Sequence, residues 1–134
     1  MSDKIVKKEY KNRIEYRLNR LLHREDGPAI EYADGDKHWY LNGLLHREDG
    51  PAVERANGDK EWYLHDKRHR KDGPAAEYSG GNKYWFLNGV YHRVDGPAVE
   101  YADGYKEYWV NGEYLDFITN DRMLIYYLKY GFLK

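Results

Sequence analysis

Short apolar clusters recur along this chain at a fixed interval, separated by polar stretches rich in Gly, Asn and Asp. The string His-Arg-x-Asp-Gly-Pro-Ala begins at four positions that lie 23 residues apart, and all four prolines keep the same step. The string begins at His23, His46, His69 and His92. Four copies in phase, without an insertion, indicate a tandem repeat in which each copy is one structural unit.

Each copy contains two runs that favour β-strands. The first is typified by 97–101 (Pro-Ala-Val-Glu-Tyr) and the second by 37–41 (Lys-His-Trp-Tyr-Leu). Dipeptides that accept positive φ and close tight hairpins separate the two runs. They lie at 34–35, 57–58, 80–81 and 103–104. The sequence therefore predicts an all-β fold: a single-layer antiparallel meander of about nine strands, built from stacked 23-residue β-hairpin repeats.

The beginning of the chain carries a weaker copy of the same pattern. Tyr16 lies one period before Trp39, and Asn19 lies one period before Asn42. We interpret 1–22 as an N-terminal lead-in with a degenerate half-repeat. The four full repeats then occupy 23–114.

The end of the chain no longer follows the 23-residue repeat, and its apolar residues are spaced as in a helix. The segment Thr119-Asn120-Asp121 offers N-cap chemistry, the residues from Arg122 to Tyr130 are mostly apolar, and Gly131 could end a helix. The sequence predicts a C-terminal helical cap over 115–134. A docking or dimerisation helix is the functional alternative, because end repeats generally need caps but a cap can also bind.

Equivalent residues should stack two strands apart, at about 9.5 Å. Because side chains alternate along a strand, two aromatic columns should lie on opposite faces of the sheet. The first column holds Trp39, Trp62, Trp85 and Tyr108, and the second holds Tyr40, Tyr63, Phe86 and Trp109. The recurring glutamates, Glu31, Glu54, Glu77 and Glu100, are interpreted as solvated side chains that balance the recurring lysines.

The amino-acid composition argues against several classes of function. The chain has 22 basic and 23 acidic residues, so its charge does not favour nucleic acid or an anionic membrane. It has no cysteine, which excludes disulfides and thiolate metal sites. The first residues contain no apolar run of signal-peptide length, and no segment has the roughly 20 apolar residues that cross a bilayer. We therefore expect a cytoplasmic protein without a membrane partner.

The repeated His-Arg-x-Asp string invites metal and acid–base chemistry. Histidines about 9.5 Å apart cannot share one zinc ion, whose ligands lie about 2.0–2.1 Å away, so we predict no metal and no cofactor. A His-plus-Asp site within one link stays open. A catalytic pair is needed once, whereas this pair of His and Asp occurs in all four repeats. We predict a structural role instead, with the Asp bonding the turn backbone and the His and Arg contacting the next repeat, and hence no enzyme.

The Asn-Gly-x-x-His link, the Asp-Gly turn and the aromatic strand resemble MORN repeats. The variant pattern HRxDGPAxEYxDGxKxWYxNG is similar to repeats in proteins of bacteriophages and large DNA viruses. The resemblance covers about residues 10–114, although Arg follows each His where MORN units usually carry Gly. It implies a scaffold or binding role, and a viral origin would place the chain in the host cytoplasm.

Protein recognition fits the remaining features best, because interfaces are enriched in Tyr, Trp and Arg. The binding residues that we predict are Arg47, Arg55, His65, Lys67, Arg68, Arg70, Tyr91 and Arg93. The expected partner is a protein complex of the host. The chain could act as a viral inhibitor of a host or bacterial defence complex. Sequestration of a nucleotide-like ligand and a structural or scaffold role are the alternatives. A homodimer through an edge strand or the C-terminal helix also stays open.

Overall fold

A computed structural model of the chain describes residues 4–131 and contains 19 short strands followed by one helix. The strands are β1 (Val6–Glu9), β2 (Arg13–Leu18), β3 (Leu21–Leu22), β4 (Ile30–Tyr32), β5 (Lys37–His38), β6 (Tyr40–Leu41), β7 (Leu44–Leu45), β8 (Val53–Glu54), β9 (Lys60–Glu61), β10 (Tyr63–Leu64), β11 (Lys67–Arg68), β12 (Ala76–Glu77), β13 (Lys83–Tyr84), β14 (Phe86–Leu87), β15 (Val90–Tyr91), β16 (Val99–Glu100), β17 (Lys106–Glu107), β18 (Trp109–Val110) and β19 (Glu113–Tyr114). The helix is α1 (Asp121–Tyr130). The all-β meander with a C-terminal helix is confirmed.

The expected count of about nine strands is wrong for the described residues. Each repeat contributes two strands to an 11-stranded antiparallel sheet, in the order β1-β2-β4-β5-β8-β9-β12-β13-β16-β17, with β3 beside β2. The next strands of each repeat form a separate two-stranded hairpin: β6-β7, β10-β11, β14-β15 and β18-β19. The repeat is therefore two successive hairpins and not one.

The long aromatic run breaks because its central residue changes hydrogen-bonding partners. The N–H of Trp39 donates to the carbonyl oxygen of Ala52 in the next repeat, at 2.7 Å. The carbonyl oxygen of Trp39 accepts from the N–H of His46 in its own hairpin, at 3.1 Å. The chain thus leaves the main sheet at this tryptophan, and the same pair of bonds recurs at Trp62 and Trp85.

Turn chemistry follows the sequence closely. The glycines of the first turn have positive φ, from 96° at Gly104 to 107° at Gly81. The second turn has two successive left-handed residues, for example Asn42 (φ 50°) and Gly43 (φ 80°). Two consecutive positive φ values are typical of the type I′ hairpin turn, which matches the twist of the strands.

In each repeat, the arginine of the string stacks on an aromatic ring of the preceding repeat and binds the Asp and the Pro carbonyl of its own string. The guanidinium of Arg70 lies 3.8 Å from the ring centroid of Trp62, in the preceding repeat. Its Nε donates to Asp72 at 3.2 Å, and its Nη1 donates to the carbonyl oxygen of Pro74 at 3.0 Å and to Glu77 at 2.9 Å. The same set recurs for Arg24 on Tyr16, Arg47 on Trp39 and Arg93 on Trp85. We call this set the arginine clamp.

The arginine clamp corrects two interpretations. The recurring glutamates are not free solvated side chains, because each accepts a hydrogen bond from the arginine seven residues before it. The aspartates pair with the arginine Nε and not with the turn backbone as expected. The glycine of the string leaves room for the clamp, because a Cβ at Gly96 would lie 2.7 Å from the guanidinium carbon of Arg93 and would displace it.

We expected the repeated histidines to contact the next repeat, but each binds the second hairpin turn of its own repeat. The Nδ1 atom of His69 accepts a 2.9 Å hydrogen bond from the backbone N–H of Asn88, the first left-handed residue of the next hairpin turn. The same bond links His23 to Asn42, His46 to His65 and His92 to Asn111, each at 2.9 Å. Each ring must therefore leave Nδ1 unprotonated, so the neutral form with the proton on Nε2 fits the fold.

The core is thin and lies on both faces of the main sheet. On one face, which we call the arginine face, alanines lie fully buried beside the tryptophans and arginine clamps. They are Ala29, Ala52, Ala75 and Ala98, each 0% exposed. The following residue of each repeat is buried on the opposite face: Ile30, Val53, Ala76 and Val99. Large aromatic rings on both faces thus replace the second layer that usually covers a sheet.

The helix ends the array where the repeated string stops. Asn120 caps α1 by accepting from the N–H of Met123, and Gly131 closes it in the left-handed region at φ 61°, as predicted. Leu124, which is 0% exposed, packs with Tyr108 and Leu115. The hydroxyl of Tyr108 donates to Asp121 at 2.8 Å. Residues 132–134 of the predicted cap and 1–3 of the lead-in lie outside the described part of the chain.

Arg70→Lys should lower the free energy of unfolding by about 1–2 kcal/mol, measured by urea denaturation. Lysine keeps the positive charge but has no planar group to stack on Trp62 and cannot reach Asp72, Glu77 and the Pro74 carbonyl together. The control is Arg122→Lys on the exposed side of α1, which should change stability by less than about 0.5 kcal/mol. Equal effects of the two variants would contradict the arginine clamp.

Stability should fall as the pH drops below about 6.5, because the hydrogen bond that Nδ1 of His69 accepts needs a neutral ring. Burial, and then Lys71, lower the pKa of His69 below its usual value, so the unfolded chain takes up the proton first. The stabilisation is therefore complete above the unfolded pKa and is lost as the pH falls toward the folded pKa. His69→Asn keeps an acceptor near the Nδ1 position without a titrating ring. Urea denaturation between pH 5 and 8 should show a shallower acid dependence for this variant, and an unchanged dependence would refute the role of His69.

Candidate binding surface

A continuous surface of aromatic and charged side chains lies on the face of the sheet opposite to the arginine clamps. Four equivalent positions per repeat contribute to this surface, which we call the aromatic face. It consists of Tyr32, His38, Tyr40 and Leu45 from repeat 1; Arg55, Glu61, Tyr63 and Arg68 from repeat 2; Tyr78, Tyr84, Phe86 and Tyr91 from repeat 3; and Tyr101, Glu107, Trp109 and Tyr114 from repeat 4. Ten of these 16 side chains are Tyr, Phe or Trp.

The rings of the aromatic face contact one another across repeats. Tyr91 lies 4.5 Å from Phe86 and 5.0 Å from Trp109, measured between ring centroids. Tyr84 meets Tyr101 edge-on at 6.0 Å. These contacts cover the buried Ile and Val residues beneath them, while most of the rings remain partly exposed. The surface is therefore rigid, amphipathic and lined with hydroxyl groups.

A buried carboxylate lies near the centre of this face. Glu61 is 6% exposed and accepts hydrogen bonds from the hydroxyls of Tyr78 at 2.8 Å and Tyr63 at 3.3 Å. Arg68 approaches it, with an Nη2 to Oε2 distance of 3.7 Å. Burial, together with the hydrogen bond to Glu61, raises the pKa of Tyr78 to about 12. The group forms a polar centre inside an otherwise aromatic surface.

Arg68 itself is incompletely satisfied within the described residues. Its Nε is buried and makes no hydrogen bond. Its guanidinium carbon lies 5.7 Å from the ring of Tyr63 and 5.5 Å from that of Phe86. The side chain borders a shallow groove of about 410 Å³ that is also lined by Lys67 and Asp66. A buried donor without a partner lowers stability, so its presence is typical of functional positions.

Repeat 2 also differs from the other repeats in its second hairpin turn, where it is His65 and Asp66 that have the left-handed backbone conformations. His65 (φ 47°) and Asp66 (φ 70°) occupy the left-handed turn positions that hold Asn and Gly in the later repeats. Left-handed backbone costs an ordinary residue about 1–2 kcal/mol relative to Gly. The ring of His65 lies 4.4 Å from that of His46, and the Asp66 carboxylate accepts from the N–H of Leu45 at 3.2 Å. These contacts hold a turn that the sequence disfavours.

The predicted binding residues divide between the two faces of the sheet. Arg55, Arg68 and Tyr91 belong to the aromatic face, and Lys67 and His65 lie on its rim in the hairpin of repeat 2. The other three predicted residues, Arg47, Arg70 and Arg93, lie on the arginine face, where their Nε and Nη1 atoms are engaged in the clamp.

The sequence analysis did not single out Glu61, Tyr78 or Tyr84. The signal was present, because the position of Glu61 holds His38, Tyr84 and Glu107 in the other repeats and thus varies between repeats. Variation alone did not reveal burial. Only the cross-strand neighbours, Val53 and Ala76, place this position in the centre of the face.

Residues 4–131 offer neither a cluster of metal ligands nor a helix that could span a membrane. That part of the chain contains no group of three or more His, Asp or Glu side chains arranged to hold a metal ion. The repeat histidines use Nδ1 for the backbone bond, which leaves only Nε2 for other contacts. Helix α1 is too short and too polar to cross a membrane.

No family model matches the sequence, and neither the curated proteins nor the solved structures that were compared with it gave a match.

Glu61→Gln should lower the pKa of Tyr78 from about 12 towards its ordinary value near 10, because the amide keeps an acceptor but removes the negative charge. Tyrosine ring NMR across an alkaline titration measures this directly. Tyr108 is the internal control, because its pKa is also about 12 but its partner is Asp121. A Tyr78 pKa that stays at about 12 would show that burial alone sets it.

Proposed function

We propose that the protein is a non-enzymatic binding protein that recognises a partner protein through the aromatic face. One observation carries this proposal. The side chains of the repeated string are engaged in contacts within the fold, whereas the aromatic face combines ten aromatic rings with a buried carboxylate, Glu61, and with Arg68, whose Nε is unbonded. Folding explains the contacts of the string but does not require this polar group inside an aromatic surface.

The chemistry of the aromatic face supports a protein partner. Tyr, Trp and Arg are the residues that protein interfaces prefer, because they bury large areas with few rotatable bonds. The charges on the face are mixed, with Arg55 and Arg68 opposed by Glu61 and Glu107. Binding of nucleic acid would instead favour an excess of positive charge along the surface.

The surroundings of the His-Arg-x-Asp string favour a structural over a catalytic role. The Nδ1 of each histidine is occupied by a backbone N–H in the second hairpin turn of its own repeat. Each aspartate is paired with the arginine of its own clamp. A general base needs a free lone pair directed at a substrate, and this arrangement leaves Nδ1 without one.

Repeat 2 is the proposed centre of recognition. It combines the buried Glu61, the underbonded Arg68, and the strained turn at His65 and Asp66. Strain and unmet hydrogen bonds lower stability, and they are commonly retained where they serve binding. The resemblance to MORN repeats and to viral repeat proteins agrees with a binding role. Under it, the partner would be a host protein complex in the cytoplasm, such as one that takes part in defence.

The binding proposal is tested by capture from a host-cell lysate with matched variants. Tagged protein should retain one protein complex in stoichiometric amount, identified by mass spectrometry. The double variant Lys67→Glu with Tyr114→Ser changes two exposed side chains at the rim of the aromatic face and should weaken capture at least about tenfold. The matched control makes the same chemical changes on the exposed side of α1, Arg122→Glu with Tyr126→Ser, and should leave capture unchanged.

The other outcomes discriminate between the alternatives. Loss of capture with the helix variant alone would assign docking to α1 and contradict the proposal. An empty capture combined with a thermal shift caused by nucleotides would favour the ligand-sequestering alternative, since ligands stabilise the state that binds them. Self-association of the pure protein in light scattering would favour the scaffold alternative or a homodimer.

A further inference from the structure

Three equivalent grooves cross the arginine face. Each lies between two successive copies of the His-Arg-x-Asp-Gly string. Their volumes are about 720, 650 and 450 Å³ from the first to the third. A tryptophan and a leucine from the same strand region line each groove: Trp39 and Leu41, Trp62 and Leu64, and Trp85 and Leu87. The charged turns form the walls, so each groove has an apolar base and a polar rim.

Each of these tryptophans has an indole N–H that is free to bind. Within residues 4–131, the N–H groups of Trp39, Trp62 and Trp85 donate to no protein acceptor and are not among the buried atoms that lack a partner. The fourth tryptophan differs, because the N–H of Trp109 donates to Glu107 at 3.0 Å. The clamp arginines cover one face of each groove tryptophan and fix its ring.

The spacing of the grooves restricts what can occupy all three. Equivalent residues lie two strands apart, as shown by the pairing of Lys37 with Glu54 and of Glu54 with Lys60. Two strands span about 9.5 Å. A polyproline II helix advances about 9.3 Å for every three residues. An extended β-strand has a two-residue side-chain period of about 6.6–6.8 Å, which does not match.

We propose that the arginine face binds a proline-rich segment in the polyproline II conformation, which runs along the array and places every third residue in a groove. Such a segment forms no internal hydrogen bonds, so its carbonyl oxygens are free to accept from the three indole N–H groups. Aromatic-lined grooves recognise proline-rich segments in this manner because the ligand loses little entropy on binding.

The walls of the grooves select the charge of the segment. The first groove is lined by Glu25, Asp26, Glu48 and Asp49 against two arginines of the clamps. The third groove instead holds Lys71 and the neutral Val94 at the positions of those two glutamates. The segment should therefore carry Lys or Arg over the first groove and an acidic or neutral residue over the third.

This site is separate from the aromatic face and does not depend on the function proposed for it. The grooves open on the opposite side of the sheet, where the Trp, Leu, Arg and Asp that line them recur in successive repeats. A sequence-tolerant site made of repeated parts suits a repetitive ligand. The two surfaces can thus be tested independently.

The test uses two labelled peptides and fluorescence anisotropy. The first, Arg-Pro-Pro-Leu-Pro-Pro-Glu-Pro-Pro, has a three-residue step. The second has the same residues with Gly inserted after each of the first two triplets, which breaks the spacing. The unmodified protein should bind the first peptide saturably and the second at least about tenfold more weakly, because the second can fill only one groove at a time. Absence of binding, or equal affinity for the two peptides, would overturn the proposal.

Variants of the tryptophans test the proposed hydrogen bonds. Trp62→Phe keeps an aromatic ring under Arg70 but removes the N–H, and should weaken binding of the first peptide by about fivefold. Trp109→Phe is the matched control and should leave the affinity unchanged, because its N–H is already bonded to Glu107. An equal effect of both variants would overturn the assignment to the grooves.

A charge reversal tests the orientation. Glu48→Lys should weaken binding of the first peptide, and replacing the peptide's Arg by Glu should restore it. Lys67→Glu, at the rim of the aromatic face and outside the lining of the three grooves, should leave peptide affinity unchanged, which separates this site from the proposed protein-binding surface. Loss of peptide binding with Lys67→Glu but not with Glu48→Lys would place the peptide on the aromatic face and overturn the proposal.

Discussion

The contact between each arginine and the aromatic ring of the preceding repeat is the interaction on which the rest of the structure depends. A single sheet has no second layer to bury its apolar side chains. Each guanidinium supplies that cover, with Arg70 stacked on Trp62 and bonded to Asp72, Glu77 and the Pro74 carbonyl. Lysine could not replace it, because only the planar guanidinium can stack and donate to several acceptors at once.

The arginine clamp also explains why the array stops where it does. One period after Arg93 the chain has Asp116, and one period after His92 it has Leu115. Among residues 4–131, no arginine therefore stacks on the ring of Tyr108 as the clamps do on the earlier rings. Helix α1 covers it, and Leu115 and Leu124 pack beside it in the only cluster of this kind in the described part of the chain. The string is absent from this next period, where 115–121 reads Leu-Asp-Phe-Ile-Thr-Asn-Asp, and the repeating contact is replaced by a terminating one.

Sequence reasoning succeeded where structure is set by neighbours in the chain. Gly104 required positive φ, and Asn120 and Gly131 bounded the helix, because these effects are local. It failed where the partner is remote. The break in the aromatic strand arises from the bond between Trp39 and Ala52, 13 residues along the chain, and no propensity reports such a bond. The variability that marks the aromatic face was visible, but the burial of Glu61 was not.

The polar centre of the aromatic face is hard to explain by stability alone. The fold accepts Tyr84 at the position of Glu61, so a carboxylate is not needed there. Burying an ion pair rarely increases stability compared with well-packed apolar side chains, and here Arg68 leaves its Nε without an acceptor. Because the array is held by clamps on the opposite face, the aromatic face can carry such costs without losing the fold. The division of tasks between the two faces is what lets repeat 2 diverge in its side chains while its backbone stays in register with its neighbours.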